Sequence, residues 1–342
     1  MRRVLPISAV LAIVACATPP VFPPVDPPLE WPRSGDPARV RYVGAISSDA
    51  DLKRPRSLWR RVRDLVAGAE PPAAIRSAHG VAVTDTDVLF VADPEAHVVH
   101  RFDLEGRNYR ALAEISANRK LVMPIGLSLR GRELLVADRA LALVAVLSTA
   151  GEPLSTFGET TLQSPIGIAV GRSGRTFVAD VEAHHIAVFS PEGDAMTPIG
   201  SRGVEPGRFN FPTHVACDER ERLYVSDSLN ARVQVFDRDG TFVRALGKKG
   251  DFPGDFSQPK GLACDAEGRL YVVDSHFENV QIFSARGTLL LALGSEGRGP
   301  GEFWLPVGIC TDRKSRFWVA DSFNHRVQVF QRLLADEGSA AP

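Results

Sequence analysis

The sequence predicts an all-β protein: six blades of four antiparallel strands closed into a propeller. Three observations carry that reading. One phrase returns down the chain, as "YVSDSLNARVQVF" at 224–236, "YVVDSHFENVQIF" at 271–283 and "WVADSFNHRVQVF" at 318–330. Its landmarks recur at fixed offsets. A strand missing from the last repeat is present near the start of the chain. A sequence that repeats with a period of some 42–47 residues is an array of supersecondary units before it is anything else.

The offsets are as follows. Six apolar segments end in an aspartate: Asp93, Asp138, Asp180, Asp227, Asp274 and Asp321. Nine residues after each stands a bulky apolar side chain: Phe102, Leu147, Phe189, Phe236, Phe283 and Phe330. Twenty after the first five stands Ala113, Gly158, Gly200, Gly247 or Gly294. Upstream by 15 residues, once by 14, an inner strand begins at Ala78, Pro124, Pro165, Pro212, Pro259 and Pro306. In the fourth unit the four strands read "THVACD", "LYVSD", "RVQVF" and "FVRALG". Alternation marks "RVQVF" as half-buried, and the continuous apolar run of "LYVSD" marks a strand covered on both faces. Four short strands separated by turn residues and repeated six times make a propeller.

Closure is legible too. The sixth unit needs an outer strand ending at 341, where the chain reads "LLADEGSAAP". The missing strand is "ARVRYVG" at 38–44, which matches "TFVRALG" of unit four. Joined to the last blade, it ties the ring shut and covers an open edge.

The N-terminus reads as an address. Arg2 and Arg3 precede the apolar run Val4–Ala15, too short to span a bilayer and suited to a secretory signal. The run ends Ile13-Val14-Ala15-Cys16, which resembles the lipobox of bacterial lipoproteins. That resemblance implies cleavage after residue 15 and lipidation of Cys16. Each buried CH₂ of the acyl chains would contribute about 0.8 kcal/mol to membrane anchoring. Ala17 in place of Asp then implies an outer-membrane lipoprotein facing the periplasm. Residues 17–37 contain eight prolines. They are expected to form an extended tether, with Cys16, that packs no core. The domain organisation expected is a signal peptide over 1–15, lipidated Cys and tether over 16–37, the propeller over 38–332, and a tail over 333–342.

Composition sets limits. The chain has 342 residues, 44% hydrophobic, and a net charge of -1. It lacks the basic footprint of a nucleic-acid binder. Four cysteines are too few for a disulfide framework. Cys217 and Cys264 share a repeat position and Cys310 falls one earlier; they read as small core residues, with a Cys264–Cys310 bridge left open.

The phrases "DSLNARVQVF" and "DSFNHRVQVF", and the connectors "GSRGVEPGRFNFP" and "GSEGRGPGEFWLP", resemble NHL repeats. The resemblance spans roughly residues 38–332 and is weakest in unit two, where "DRALALVAVL" lacks the Asn and Arg. It implies a six-bladed propeller, of bacterial lipoprotein type when taken with the lipobox resemblance at Cys16. Some NHL-like enzymes, the peptidyl-amidating lyases, hold zinc through histidines at the second inner-strand position. Here that position reads His79, Ile125, Ile166, Thr213, Lys260 and Val307, with His214 one place displaced, so the ligand set is not reproduced. No nucleophile-elbow, zincin or phosphate-loop motif appears.

The repeated Asp, Asn and Arg, as in Asp227, Asn230 and Arg232, are expected to do turn chemistry rather than bind metal. His97, His184 and His325, four residues after their aspartates, are expected to be turn occupants. Length variation falls in the connectors between blades, and variable loops on a rigid scaffold are where binding resides. In the longest, "RSLWRRVRDLVAG" at 56–68 has helical spacing, so one short helix is expected over 57–67. The binding surface is placed on this connector face, with Arg60, Arg61, His79, His214 and Lys260 as candidate contacts. The function expected is a non-catalytic scaffold that binds a protein, a glycan or a small ligand. The alternative is a metal-dependent lyase or hydrolase acting at the central channel. No catalytic residue and no cofactor are assigned, a channel metal being left open. Expected partners are the membrane, through the lipid, and that ligand, but no nucleic acid.

Overall fold

The computed structural model describes residues 20–33, 36–52 and 72–333. It is a six-bladed propeller. Five blades are four-stranded antiparallel sheets in sequential order, and the sixth has five strands. Blade 4 is typical: Pro212–Cys217, Leu223–Asp227, Arg232–Phe236 and Phe242–Leu246, running from the channel outward. Its second strand is buried at every position, whereas its outer strand alternates. That is the burial expected when neighbouring sheets cover both faces of the inner strands and leave the rim wet.

Among the described residues the apolar core is divided. Six apolar clusters form wedges, one between each pair of adjacent blades. The wedge between blades 5 and 6 holds Tyr271, Phe303, Phe317 and Phe330, the last two stacked at 4.9 Å.

Blade 6 contains Pro306–Thr311, Arg316–Asp321 and Arg326–Arg332. Its fourth strand is Val40–Ile46, antiparallel to Arg326–Arg332 in the register Val40↔Arg332 to Ile46↔Val327. The strand expected at 38–44 is thus present two residues later, and the ring is closed between its two ends.

The tether expectation needs correction. Glu30–Trp31 adds a fifth strand, with Trp31 opposite Val40. Trp31 is buried against Phe330 at 5.8 Å, and Phe22 packs edge-on to Trp318 at 6.1 Å. The segment is not the extended run expected: it bends at residues 21–22, 26–27 and 32–33, and the aromatic and aliphatic residues between its prolines have area to bury. Proline is tolerated on the outermost strand, where a missing N–H leaves no partner unpaired. Gly44 is small because the Phe22 ring lies directly over it; a Cβ there would stand 2.5 Å from Phe22 Cδ1.

Among the described residues the helical elements are short 3₁₀ turns, Asp49–Leu52, Ser228–Asn230 and Ser322–Asn324. The helix expected over 57–67 lies outside the described residues, as do Cys16, Arg60 and Arg61.

Candidate functional site

An antiparallel meander puts second-to-third turns and blade-to-blade connectors at one end of the ring, and first-to-second and third-to-fourth turns at the other. The repeated aspartate stitches the first end together. Asp227 is fully buried. Its Oδ1 accepts from the Asn210 backbone N–H at 2.7 Å, in the connector ahead of the blade. Its Oδ2 accepts from Asn230 Nδ2, Arg232 Nε and Gln234 Nε2 at 2.8, 2.8 and 3.0 Å. Asp321 repeats this with Trp304, Asn324, Arg326 and Gln328. Asp138 and Asp180 accept from backbone N–H groups on both sides. These carboxylates are occupied by turn hydrogen bonds, as the repeat pattern suggested.

Two details escape sequence reasoning. The left-handed residue of the turn is not the Asn but the next one: His97, Ala142, His184, Ala231, Glu278 and His325 all have φ between 49° and 58°. Where this side chain can reach, it straps one blade to the next. His97 Nδ1–H donates to Val122 O, the Phe211 N–H donates to His184 Nδ1, and the Leu305 N–H donates to Glu278 Oε2. His325 Nδ1–H donates to Arg76 O across the closing seam. The serine after the aspartate also links blades. Ser228 Oγ donates to Pro259 O at 2.6 Å, Ser275 Oγ to Pro306 O, and Ser322 Oγ to Ala78 O at the seam. The Asp-Ser pairs of units four to six were the available signal.

The turn histidines are therefore spread around the ring as straps. Among the described residues, no three His, Cys, Asp or Glu side chains converge in a metal-holding group.

The channel mouth gathers three of the sequence-nominated residues from three blades. His79, His214 and Lys260 are each partly buried. Lys260 and His79 are the charged neighbours that act on His214. Burial, with those two charges adding, holds the His214 imidazole down to about 3. Burial likewise lowers His79 and, against the opposing charge of Asp274, Lys260.

The channel behind them is about 230 Å³ and is lined by the inner strands. At the opposite end it widens to about 610 Å³, with Asp85, Arg130, Arg172, Glu219 and Arg313 on the wall. Much of that charge is paired between blades, as in Arg313–Asp85 at 3.1 Å and Arg172–Glu219. Cys217, Cys264 and Cys310 are free thiols, so the bridge left open between Cys264 and Cys310 is not formed. They pack against the apolar wedges, and burial raises all three, Cys217 to about 12.

The two ends differ in apolar exposure. Among the described residues, the large exposed apolar side chains on loops are Val122, Met123, Val204, Phe211, Leu229, Phe252 and Phe323. All seven sit in connectors or second-to-third turns. Phe252 is 80% exposed and Val204 64%. The other exposed large apolar side chains, Leu154, Met196, Val243 and Leu290, lie on outer strands, and the opposite turns carry none.

Comparison with known proteins agrees with this architecture. The family profile described as "6-bladed beta-propeller" matches residues 216–275, and that of the NHL repeat matches residues 303–330. The protein brain tumor of Drosophila melanogaster is 27% identical over 125 residues, which are 35% of this chain and 12% of that protein. The chain thus spans about an eighth of that relative's length. Among solved structures, a gluconolactonase from Xanthomonas campestris superposes with a TM-score of 0.58 at 16% identity, over 85% of this chain and 98% of that one. Virginiamycin B lyase from Staphylococcus aureus gives 0.53 at 13% identity, over 75% of this chain and 96% of that one. At such identities the likeness is one of fold.

Proposed function

We propose that this chain, a six-bladed propeller built on NHL repeats, is a non-catalytic binding module that docks a protein partner on its connector face. The observation that carries the reading is the segregation of exposed apolar side chains. Phe252, Leu229, Phe323 and Val204 stand on connectors and turns of one end, whereas the opposite turns are charged and self-paired. Exposed aromatic and aliphatic side chains on a rigid scaffold make effective anchors for a partner. The repeated carboxylates, which a catalytic reading would recruit, are consumed by turn hydrogen bonds. Fold alone does not choose between binder and enzyme, since enzymes share this propeller. The choice rests on the site.

A triple variant, Leu229→Ser, Phe252→Ser and Phe323→Ser, is expected to lose a partner recovered on the immobilised wild-type protein. Its Tm should change little, because exposed positions tolerate such changes. The control is Glu219→Ala with Arg220→Ala on the opposite face. If the control loses the partner and the triple variant keeps it, the docking face is the other one.

The same proposal includes the lipid anchor at Cys16, which would hold the module at a membrane facing the periplasm. Cys16→Ser is expected to move the protein from the membrane to the soluble fraction. Unchanged fractionation would dismiss the anchor while leaving the docking face untouched.

A further inference from the structure

The third inner-strand position is glycine in five blades: Gly80, Gly126, Gly167, Gly261 and Gly308. Each is pressed against the backbone of the next inner strand; a Cβ on Gly167 would stand 2.5 Å from His214 Cα. Blade 4 alone carries a side chain there, His214, and it lines the channel. Its Nδ1 is sealed from solvent and has no hydrogen-bond partner. An unmet buried polar atom of this kind is destabilising, so it calls for an explanation.

Among the described residues, the surroundings are one-sided. Lys260 acts on His214 from the adjoining inner strand of blade 5, and His79 from just ahead of the inner strand of blade 1, across the ring. The remaining second-position residues are Ile125, Ile166, Thr213 and Val307, none of them acidic. The carboxylates that act on His79 are Asp93 and the exposed Glu95, and the one that acts on Lys260 is Asp274. Asp93 is filled by the N–H groups of Arg76, Ser77 and Ala96 and by His100. Asp274 is filled by the N–H groups of Ser257, Gln258, His276 and Phe277. Neither has a free face to offer.

We propose that the channel mouth at His214, Lys260 and His79 is a binding site for a small oxyanion, a carboxylate or phosphate group. The ammonium of Lys260 supplies charge and the imidazoles supply donors. In a partly desolvated mouth such charge-assisted hydrogen bonds are strong. The channel that His214 lines, about 230 Å³, admits a group of this size. The site lies on the ring axis, at the end of the ring that carries the apolar docking face, and its test does not rest on that reading.

The test is NMR of the histidine Cε1–H resonances of the full chain at neutral pH. Sodium acetate and inorganic phosphate are titrated separately, at ionic strength held constant with sodium chloride. The His214 signal is assigned by its loss in His214→Gly, a variant that restores the glycine of the other five blades and whose fold is checked by Tm. A saturable shift of the His214 signal is expected with at least one anion. Saturation by acetate alone assigns a carboxylate, by phosphate alone a phosphate, and by both a general oxyanion site. Lys260→Met should weaken the affinity by about tenfold or more. Bound anion should also raise the His214 pKa, because it favours the imidazolium. The proposal is overturned if neither anion gives a saturable shift, if chloride alone reproduces it, or if Lys260→Met leaves it unchanged. A buried water would then be the partner of Nδ1.

Discussion

A chain lacking residues 38–46 is expected to lose several kcal/mol of stability and to aggregate on concentration. The strand Val40–Ile46 buries Val40, Tyr42 and Ile46 almost completely. Tyr42 packs edge-on to Phe330 at 5.6 Å. Three such side chains contribute about 1.5–3 kcal/mol each by burial. Their removal also uncovers Val327 and Phe330 and leaves Arg326–Arg332 as an open edge, a template for pairing with another chain. The point variant Tyr42→Asp tests the same packing without shortening the chain. It should lower the urea midpoint in the same direction, by less. A deletion protein whose midpoint matches the wild type would mean that the seam is held elsewhere, through Ser322 and His325. Because the strand pairs residues nearly 300 positions apart, closure should be a late folding event.

Asp321→Ala is expected to destabilise by about 3–5 kcal/mol, because it strands the mostly buried guanidinium of Arg326 without its partner. Asn324 and Gln328 each lose one acceptor as well, keeping the carbonyls of Gly297 and Glu302. The repeat supplies an internal comparison. Asp138 sits at the same position, yet its partners are backbone N–H groups rather than an arginine. Asp138→Ala should cost less, about 1–3 kcal/mol, the penalty for unmet buried donors. Chemical denaturation of the two variants decides the matter. Equal losses would show that the arginine adds nothing to the carboxylate's role.

The blade number, the four-strand unit and the closing strand could all be read from "ADSFNHRVQVF" and its copies, because local rules write them. Period-two burial, turn residues and a carboxylate at a strand end act over a few residues, and each copy obeys the same sterics. The constant offset from Asp to Phe sets the length of a hairpin, and the stray "ARVRYVG" was recognisable as one of the family of outer strands.

What tertiary structure decided lies between blades. The prolines of residues 19–37 announced extended chain, but that Phe22 and Trp31 would fold back over Trp318 and Phe330 depended on aromatic rings presented by the opposite end of the chain. His325 and Ser322 became seam contacts because blade 1 lies beside blade 6, not because of their neighbours in sequence. His214 looked like a displaced member of a pattern. Its meaning comes from Lys260 and His79, 46 residues later and 135 earlier, which the ring brings to one mouth. Local preference repeats with the sequence, whereas the field and solvation at a channel axis are sums over all six blades. Only the closed ring determines those sums.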